Sequence, residues 1–189
     1  MSARFDETYY RRYYGDAKTR VHDAAQIGRL ALGVTEMIAW YGGALDTVLD
    51  IGAGAGLWRD WFQKNRPKTK YRSTEVSEYA CKAFGHEQRD ISTWRGRERF
   101  DLIVCQGVLP YLEDAAAASA IENIAAMARG FVYLEAITKQ DFEEICDQAK
   151  TDGDVHLRLA SWYRDRLGAH FVNVGVDIYG GPPGCSAIQ

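Results

Sequence analysis

The sequence predicts an α/β fold, a mostly parallel sheet with helices on both faces. Three observations carry this. Short apolar runs, Val48–Ile51 and Phe100–Cys105 above all, read as strands buried on both faces. Between such runs lie stretches with apolar residues at helical spacing. One strand-to-helix junction, Thr47–Trp58 (TVLDIGAGAGLW), carries glycines at 52, 54 and 56, the residue that tolerates a left-handed backbone and has no Cβ to hold a ligand away. Such a turn is also expected to present backbone N–H groups at a helix N-terminus.

The chain has 189 residues, enough for one domain with a full core. The expected organisation is therefore a single domain, 1–189, with 1–42 as an N-terminal helical segment or lid. A net charge of −3 gives no electrostatic case for nucleic acid or an anionic membrane. No apolar run reaches transmembrane length and no signal core opens the chain, so a cytoplasmic location is the default expectation. Cys81, Cys105, Cys146 and Cys185 are far apart and form no CxxC or Cys/His cluster. They read as reduced thiols, with no metal site.

Residues 1–20 concentrate aromatic and basic side chains: Phe5, Tyr9, Tyr10, Tyr13, Tyr14, Arg11, Arg12 and Arg20. Two readings stand: a helix packing its rings on the domain, or a lid over a ligand. From Asp23 to Trp40 the apolar residues Ile27, Leu30, Val34, Met37 and Ile38 mark a helix that Gly42–Gly43 ends. After the glycine turn, Leu57, Trp58, Trp61 and Phe62 share a helical face. The run 64–72 holds five basic residues in nine and reads as a solvated loop or a phosphate patch. A strand near Tyr71–Val76 and a helix Ser77–Phe84 follow. A short strand is expected near His86–Ile91, then the strand Phe100–Cys105.

Asp114 is expected to cap a helix carrying Ile121, Ile124 and Ala128, closed by Gly130. Phe131–Ile137 reads as a strand, and Thr138–Asp141 as a capped start for a helix to about Ala149. Ser161 is expected to cap a short helix closed by Gly168. Phe171–Ile178 reads as one strand, residues 180–184 as a turn, and Cys185–Gln189 as a last short strand.

Spacing decides what the glycine turn serves. A dinucleotide fingerprint needs G-x-G-x-x-G, and Leu57 stands where its third glycine would be, so a nicotinamide enzyme is disfavoured. The Gly-Lys-Ser/Thr of a P-loop is absent as well. The pattern present is D-x-G-x-G-x-G, from Asp50 through Gly52, Gly54 and Gly56. It resembles the glycine loop of class I S-adenosylmethionine (SAM) methyltransferases, and the resemblance spans nearly the whole chain. It implies a Rossmann-like, seven-stranded sheet of order 3-2-1-4-5-7-6 with a terminal antiparallel hairpin, and SAM as cofactor, leaving S-adenosylhomocysteine. It implies cofactor-binding roles for Asp50, Gly52, Ala53, Gly54 and Gly56. Glu75 with Val76 would meet the ribose hydroxyls, and Asp90 with Ile91 the adenine. Gln106 would border cofactor and substrate, and Tyr14 and Arg20 would reach the cofactor carboxylate.

Each role has a plainer alternative: Glu75 as a surface glutamate opening the helix Ser77–Phe84, Asp90 as a helix or turn cap. The segment after the strand, Gln106-Gly107-Val108-Leu109-Pro110-Tyr111, lacks the Asn/Asp-Pro-Pro-Tyr/Phe motif of methyltransferases acting on planar amino groups. A small-molecule acceptor is therefore expected. Tyr111, His156, Arg158 and Trp162 are its candidate contacts, with surface or structural roles as their alternatives. No residue declares itself as a general base. A non-catalytic SAM-binding or partner-binding domain of the same fold is the alternative to a transferase.

Overall fold

The computed structural model describes residues 4–175 and 178–180. The expected turn at 180–184 and strand at 185–189 lie, but for Gly180, outside the described residues. The chain opens with a short helix α1 (Glu7–Tyr10), capped by Asp6, that runs on as a π-helical turn (Arg11–Gly15). There follow α2 (Ala24–Trp40), β1 (Thr47–Ile51), α3 (Leu57–Asn65), β2 (Lys70–Glu75), α4 (Glu78–Phe84), β3 (Glu87–Gln88) and β4 (Phe100–Gln106). A 3-10 turn (Leu109–Tyr111) precedes α5 (Asp114–Met127), β5 (Ala128–Glu135), α6 (Lys139–Glu144), α7 (Ala160–Gly168), β6 (Val172–Gly175) and β7 (Ile178–Gly180).

The seven strands form one sheet of order β3-β2-β1-β4-β5-β7-β6. Strands β1 to β5 pair in parallel, and β7 runs antiparallel to both β5 and β6. This is the expected order. Alternation along the central strands builds two cores. Leu49, Ile51, Ile103, Cys105, Val132 and Leu134 pack with α5 and α7. Val48, Leu102, Val104, Phe131 and Tyr133 pack with Ile27, Val34 and Ile38 of α2 and with Trp58 and Phe62 of α3. Each large side chain buried this way contributes about 1.5–3 kcal/mol. No helix among the described residues is long and apolar enough to cross a membrane.

Several boundaries differ from the sequence reading. Gly130 does not end a helix: the backbone turns extended at Ala128, whose carbonyl accepts from the Arg99 guanidinium at 2.7 Å, and β5 begins there. Helix α6 stops at Glu144, short of Ala149. Asp114 is the first residue of α5, not its cap, because its carboxylate is taken by Arg158 at 2.8 Å. Helix α7 begins at Ala160 without a side-chain cap, so Ser161 is not one. The expected single strand 171–178 is two strands. Gly175, at φ +122, takes a backbone that other residues rarely adopt, and its N–H donates to the Asn173 side chain at 2.8 Å. The antiparallel hairpin thus begins within the stretch that reads as one strand and runs on to Gly180, where the sequence predicts a turn.

Arg158 is a structural clamp. Its side chain is only 5% exposed, whereas that of Asp114 is 74% exposed. The guanidinium donates to the Leu109 carbonyl at 3.0 Å and to the Leu112 carbonyl, and so ties the ends of the 3-10 turn to the chain before α7. Stranding a buried carbonyl costs about 1–3 kcal/mol, whereas an exposed ion pair contributes about 0–1 kcal/mol. In urea denaturation, Arg158→Met should lose clearly more stability than Asp114→Ala. Equal losses would mean that only the ion pair matters.

Candidate functional site

The carboxyl ends of β1, β2, β4 and β5 meet under the N-terminal segment. The parallel order brings the β1 turn beside the end of β2, and two donor–acceptor sets lock them together. Gly52 and Ala53 donate their N–H groups to the Thr74 carbonyl at 2.9 and 3.1 Å. Gly54 donates to Oε2 of Glu75 at 3.1 Å, while Oε1 of Glu75 accepts from Val76 and Ser77 at 2.7 and 3.1 Å. The expectation of free amides along this turn is therefore corrected at these three residues: the protein itself takes them. What the turn offers is close approach of the Tyr14 ring. Gly54 has φ +60, and a Cβ there would stand 2.7 Å from the Tyr14 hydroxyl. Glu75 is 6% exposed, which also corrects its reading as a surface glutamate.

A residue that the sequence reading passed over braces the same turn. His86 is buried between the Ser73 hydroxyl, 2.8 Å from Nδ1, and the Gly54 carbonyl, 3.1 Å from Nε2. A carbonyl only accepts, so Nε2 carries the proton and Nδ1 accepts from Ser73. Burial holds this imidazole below its ordinary pKa.

Two adjoining chambers open here. The first holds about 1000 Å³ of empty space, its open mouth included, and the second about 690 Å³. Tyr9, Tyr14, Gly52, Gln106, Gly107 and Tyr111 line both. The second is walled by Glu75, Val76, Asp90 and Ile91. The first is walled by Asp50, Ala53, Trp58, Glu135 and Asp152. Asp90 is at once a wall and a turn cap: its Oδ1 accepts from the Ser92 N–H and hydroxyl at 2.9 and 2.6 Å.

The N-terminal segment roofs both chambers. The Tyr9 and Tyr111 hydroxyls are 2.8 Å apart, Ser77 donates to the Phe5 carbonyl at 2.5 Å, and Arg4 reaches Asp152 at 3.0 Å. Tyr10 stacks on Tyr14 with ring centroids 5.2 Å apart.

Among the expected site residues, Gly54 and Gly56 line neither chamber, and four more lie elsewhere. Arg20 turns its guanidinium to Asp23 at 3.5 Å and lines neither chamber, although Val21 and His22 beside it line the first. His156 is exposed, its backbone N–H held by the Pro110 carbonyl at 2.7 Å. Arg158 is spent on the clamp. Trp162 packs against two guanidinium groups, 4.6 Å from that of Arg158 and 3.8 Å from that of Arg166. Glu135, which the sequence reading missed, shared a legible signal with Asp50 and Glu75: a carboxylate at the carboxyl end of an apolar strand. Asp152, on a polar loop, carried none.

Burial dominates the electrostatics. It raises the Tyr9, Tyr14 and Tyr111 hydroxyls well above their ordinary pKa, so they stay neutral donors and acceptors. Burial likewise lifts Asp50 to about 7, with the nearby Glu75 adding to the rise and the Tyr71 hydroxyl, which donates at 2.7 Å, opposing it. Unfolded, the same carboxyl ionises near 3.8. Between those values folding takes up a proton, so this group's contribution to stability falls as pH rises through the window. Asparagine cannot ionise. The ligand-free Asp50→Asn protein should therefore melt above wild type at pH 8 and level with it at pH 4. A difference independent of pH would place the Asp50 titration outside this window.

Comparison with known proteins agrees with this geometry. The family described as methyltransferase domain matches residues 11–174. Among curated proteins, none matches the sequence. Among solved structures, the chain resembles an S-adenosylmethionine-dependent methyltransferase from Clostridium acetobutylicum ATCC 824, at TM-score 0.65 and 12% identity, over 87% of this chain and 94% of that one. It resembles magnesium protoporphyrin IX methyltransferase from Synechocystis PCC 6803, solved with bound S-adenosylhomocysteine, at TM-score 0.62 and 17% identity, over 96% and 97%. It also resembles a sugar N-methyltransferase from Streptoalloteichus sp ATCC 53650, at TM-score 0.63 and 16% identity, over 89% and 95%. At these identities the likeness is one of fold. The family match spans most of the chain, and with it the glycine turn and the strands that wall both chambers: the chain belongs to the methyltransferase domain family and has the class I S-adenosylmethionine-dependent methyltransferase fold.

Proposed function

We propose that this chain binds SAM across the junction of the two chambers and transfers its methyl group to a small-molecule acceptor held in the first. The observation that carries the reading is the glycine turn locked to Glu75, with Gly52 and Glu75 lining the second chamber and Tyr14 packed so closely on Gly54 that no side chain fits there. The residues fit the cofactor. Glu75 and Val76 would hold the ribose, Asp90 and Ile91 the adenine, and Asp50, Gly52, Ala53, Tyr14 and Gln106 the amino-acid end. Bound SAM supplies a methyl group already activated by a positively charged sulfur.

The protein's share is to place the acceptor in line and to keep water out. Such positioning is worth roughly 7–11 kcal/mol in favourable cases. Tyr9, Tyr14 and Tyr111 close the site from above as neutral hydroxyls, which solvate without competing as nucleophiles. The segment 4–15 acts as a lid, held by Tyr9 to Tyr111, Phe5 to Ser77 and Arg4 to Asp152. Acceptors of the related enzymes named above include a porphyrin and a sugar, which supports a small organic acceptor here.

Calorimetry should detect S-adenosylhomocysteine binding and none of NAD. Micromolar NAD binding without S-adenosylhomocysteine binding would overturn the reading. Gly54→Val should remain folded by circular dichroism and lose the ligand. Because each hydrogen bond to a charged group is worth about 1.5–3 kcal/mol, Glu75→Gln should weaken binding and Glu75→Ala weaken it further. The alanine variant should also melt lower without ligand, since three backbone N–H groups lose their acceptor. Hydrogen exchange over 5–20 should slow when S-adenosylhomocysteine is added, and identical protection with and without it would make the segment a fixed packing element.

A further inference from the structure

Glu135 stands at the carboxyl end of β5 and lines the first chamber but not the second. Its Oε2 accepts from the Tyr133 hydroxyl at 2.6 Å and from Nε2 of Gln106 at 3.1 Å. The Gln106 amide has no freedom to flip, because its oxygen accepts from the Trp58 indole N–H at 2.9 Å. An indole N–H only donates, so the amide nitrogen must face Glu135. This fixes one carboxylate oxygen. Oε1 has no partner among the described residues.

The charge around it is one-sided. Asp50, whose carboxyl burial holds at about 7, and Asp152, paired with Arg4, also line the first chamber, and among the described residues no lysine or arginine does. Arg4, at the rim, is committed to Asp152 and Asp154. The remaining wall mixes the rings of Tyr9, Tyr13, Trp58 and Tyr111 with aliphatic side chains, and His22 also stands in it. An organic ammonium suits such a space: ring faces attract a cation, and a carboxylate gives it a charge-assisted hydrogen bond. An anionic acceptor would meet like charge with no compensating cation. A hydroxyl acceptor would need no cation site at all.

We propose that Glu135 is a catalytic residue for an amine acceptor, its Oε1 binding the acceptor's ammonium and taking the proton that the nitrogen must lose. This rests on the methyl-transfer reading above. In the transfer the nitrogen lone pair, freed by loss of that proton to Glu135, forms the N–C bond. The S–C bond breaks and its electron pair stays on sulfur, which becomes neutral. The Glu135 proton then passes to water, and the product leaves as an N-methylated ammonium.

The test uses the full chain with methyl-labelled SAM and paired probes: phenethylamine, tyramine and cyclohexylamine beside 2-phenylethanol, tyrosol and cyclohexanol. Amines should take the label and their alcohols should not. Glu135→Gln keeps an acceptor for Tyr133 and Gln106, so it should fold. It should lower kcat/KM for the amines by about 10²–10⁴-fold, the usual range for loss of a general base. Glu135→Asp should retain part of the rate. Two binding measurements separate the claims. Affinity for S-adenosylhomocysteine should stay within about twofold in Glu135→Gln, while phenethylamine binding to the S-adenosylhomocysteine complex should weaken about tenfold or more. If wild type binds S-adenosylhomocysteine but handles amines no better than alcohols, or if Glu135→Gln matches wild type, the proposal fails and the methyl-transfer reading stands. If wild type does not bind S-adenosylhomocysteine, the methyl-transfer reading itself fails.

Discussion

The carboxylate of Glu75 accepts the backbone N–H groups of Gly54, Val76 and Ser77, and both chambers depend on that bond set. It joins the turn after β1 to the end of β2 across a parallel pair whose ladder stops just before it. A buried carboxylate without donors would be costly to keep, and a turn of glycines without an acceptor would wander. Each supplies what the other lacks. His86 adds a second brace from β3's side, donating to the Gly54 carbonyl. The site is thus held by neighbouring strand ends, where a twisted parallel sheet leaves its crevice.

Burial sets the chemistry of the walls. The tyrosines of the roof are kept neutral, and Asp50 is brought to about 7, so the first chamber can vary its charge near neutral pH. Glu135 differs in how it is held: two donors from its own strand and from β4 fix one oxygen. A positively charged cofactor and an amine acceptor would both gain from this acidic, aromatic space, the first nearer the glycine turn and the second nearer β5.

The 3-10 turn 109–111 shows how a distant residue can shape the site without entering it. Arg158 holds the turn at both ends, and the turn carries Tyr111, whose hydroxyl meets Tyr9 in the roof. From the sequence, Arg158 near Trp162 was a candidate contact for the acceptor. In the fold its stem and head are covered, and nothing of the guanidinium is left for a ligand. Arg20 fails for a different reason: the nearby cap residue Asp23 offers a local carboxylate within its reach.

The sequence by itself determined the short buried strands, the glycine turn, and Glu75 at a strand end, because these follow from periodicity, from the backbone freedom of glycine and from counting along a repeating strand–helix unit; the strand order came with the resemblance to the methyltransferase glycine loop. It also marked Gln106 and Tyr111 as neighbours of the site, since they follow a strand whose end must face the crevice. It did not reveal the split of 171–178 into two strands, which hangs on one glycine backbone and one asparagine side chain. Nor did it reveal that the Gly52, Ala53 and Gly54 amides are already taken, that His86 is a brace, or that His156, Arg158 and Trp162 all line neither chamber. Those were decided by tertiary structure alone. A polar side chain's role depends on which partner lies within about 3 Å of it, and for residues on loops or near helix ends no spacing rule in the sequence supplies that distance.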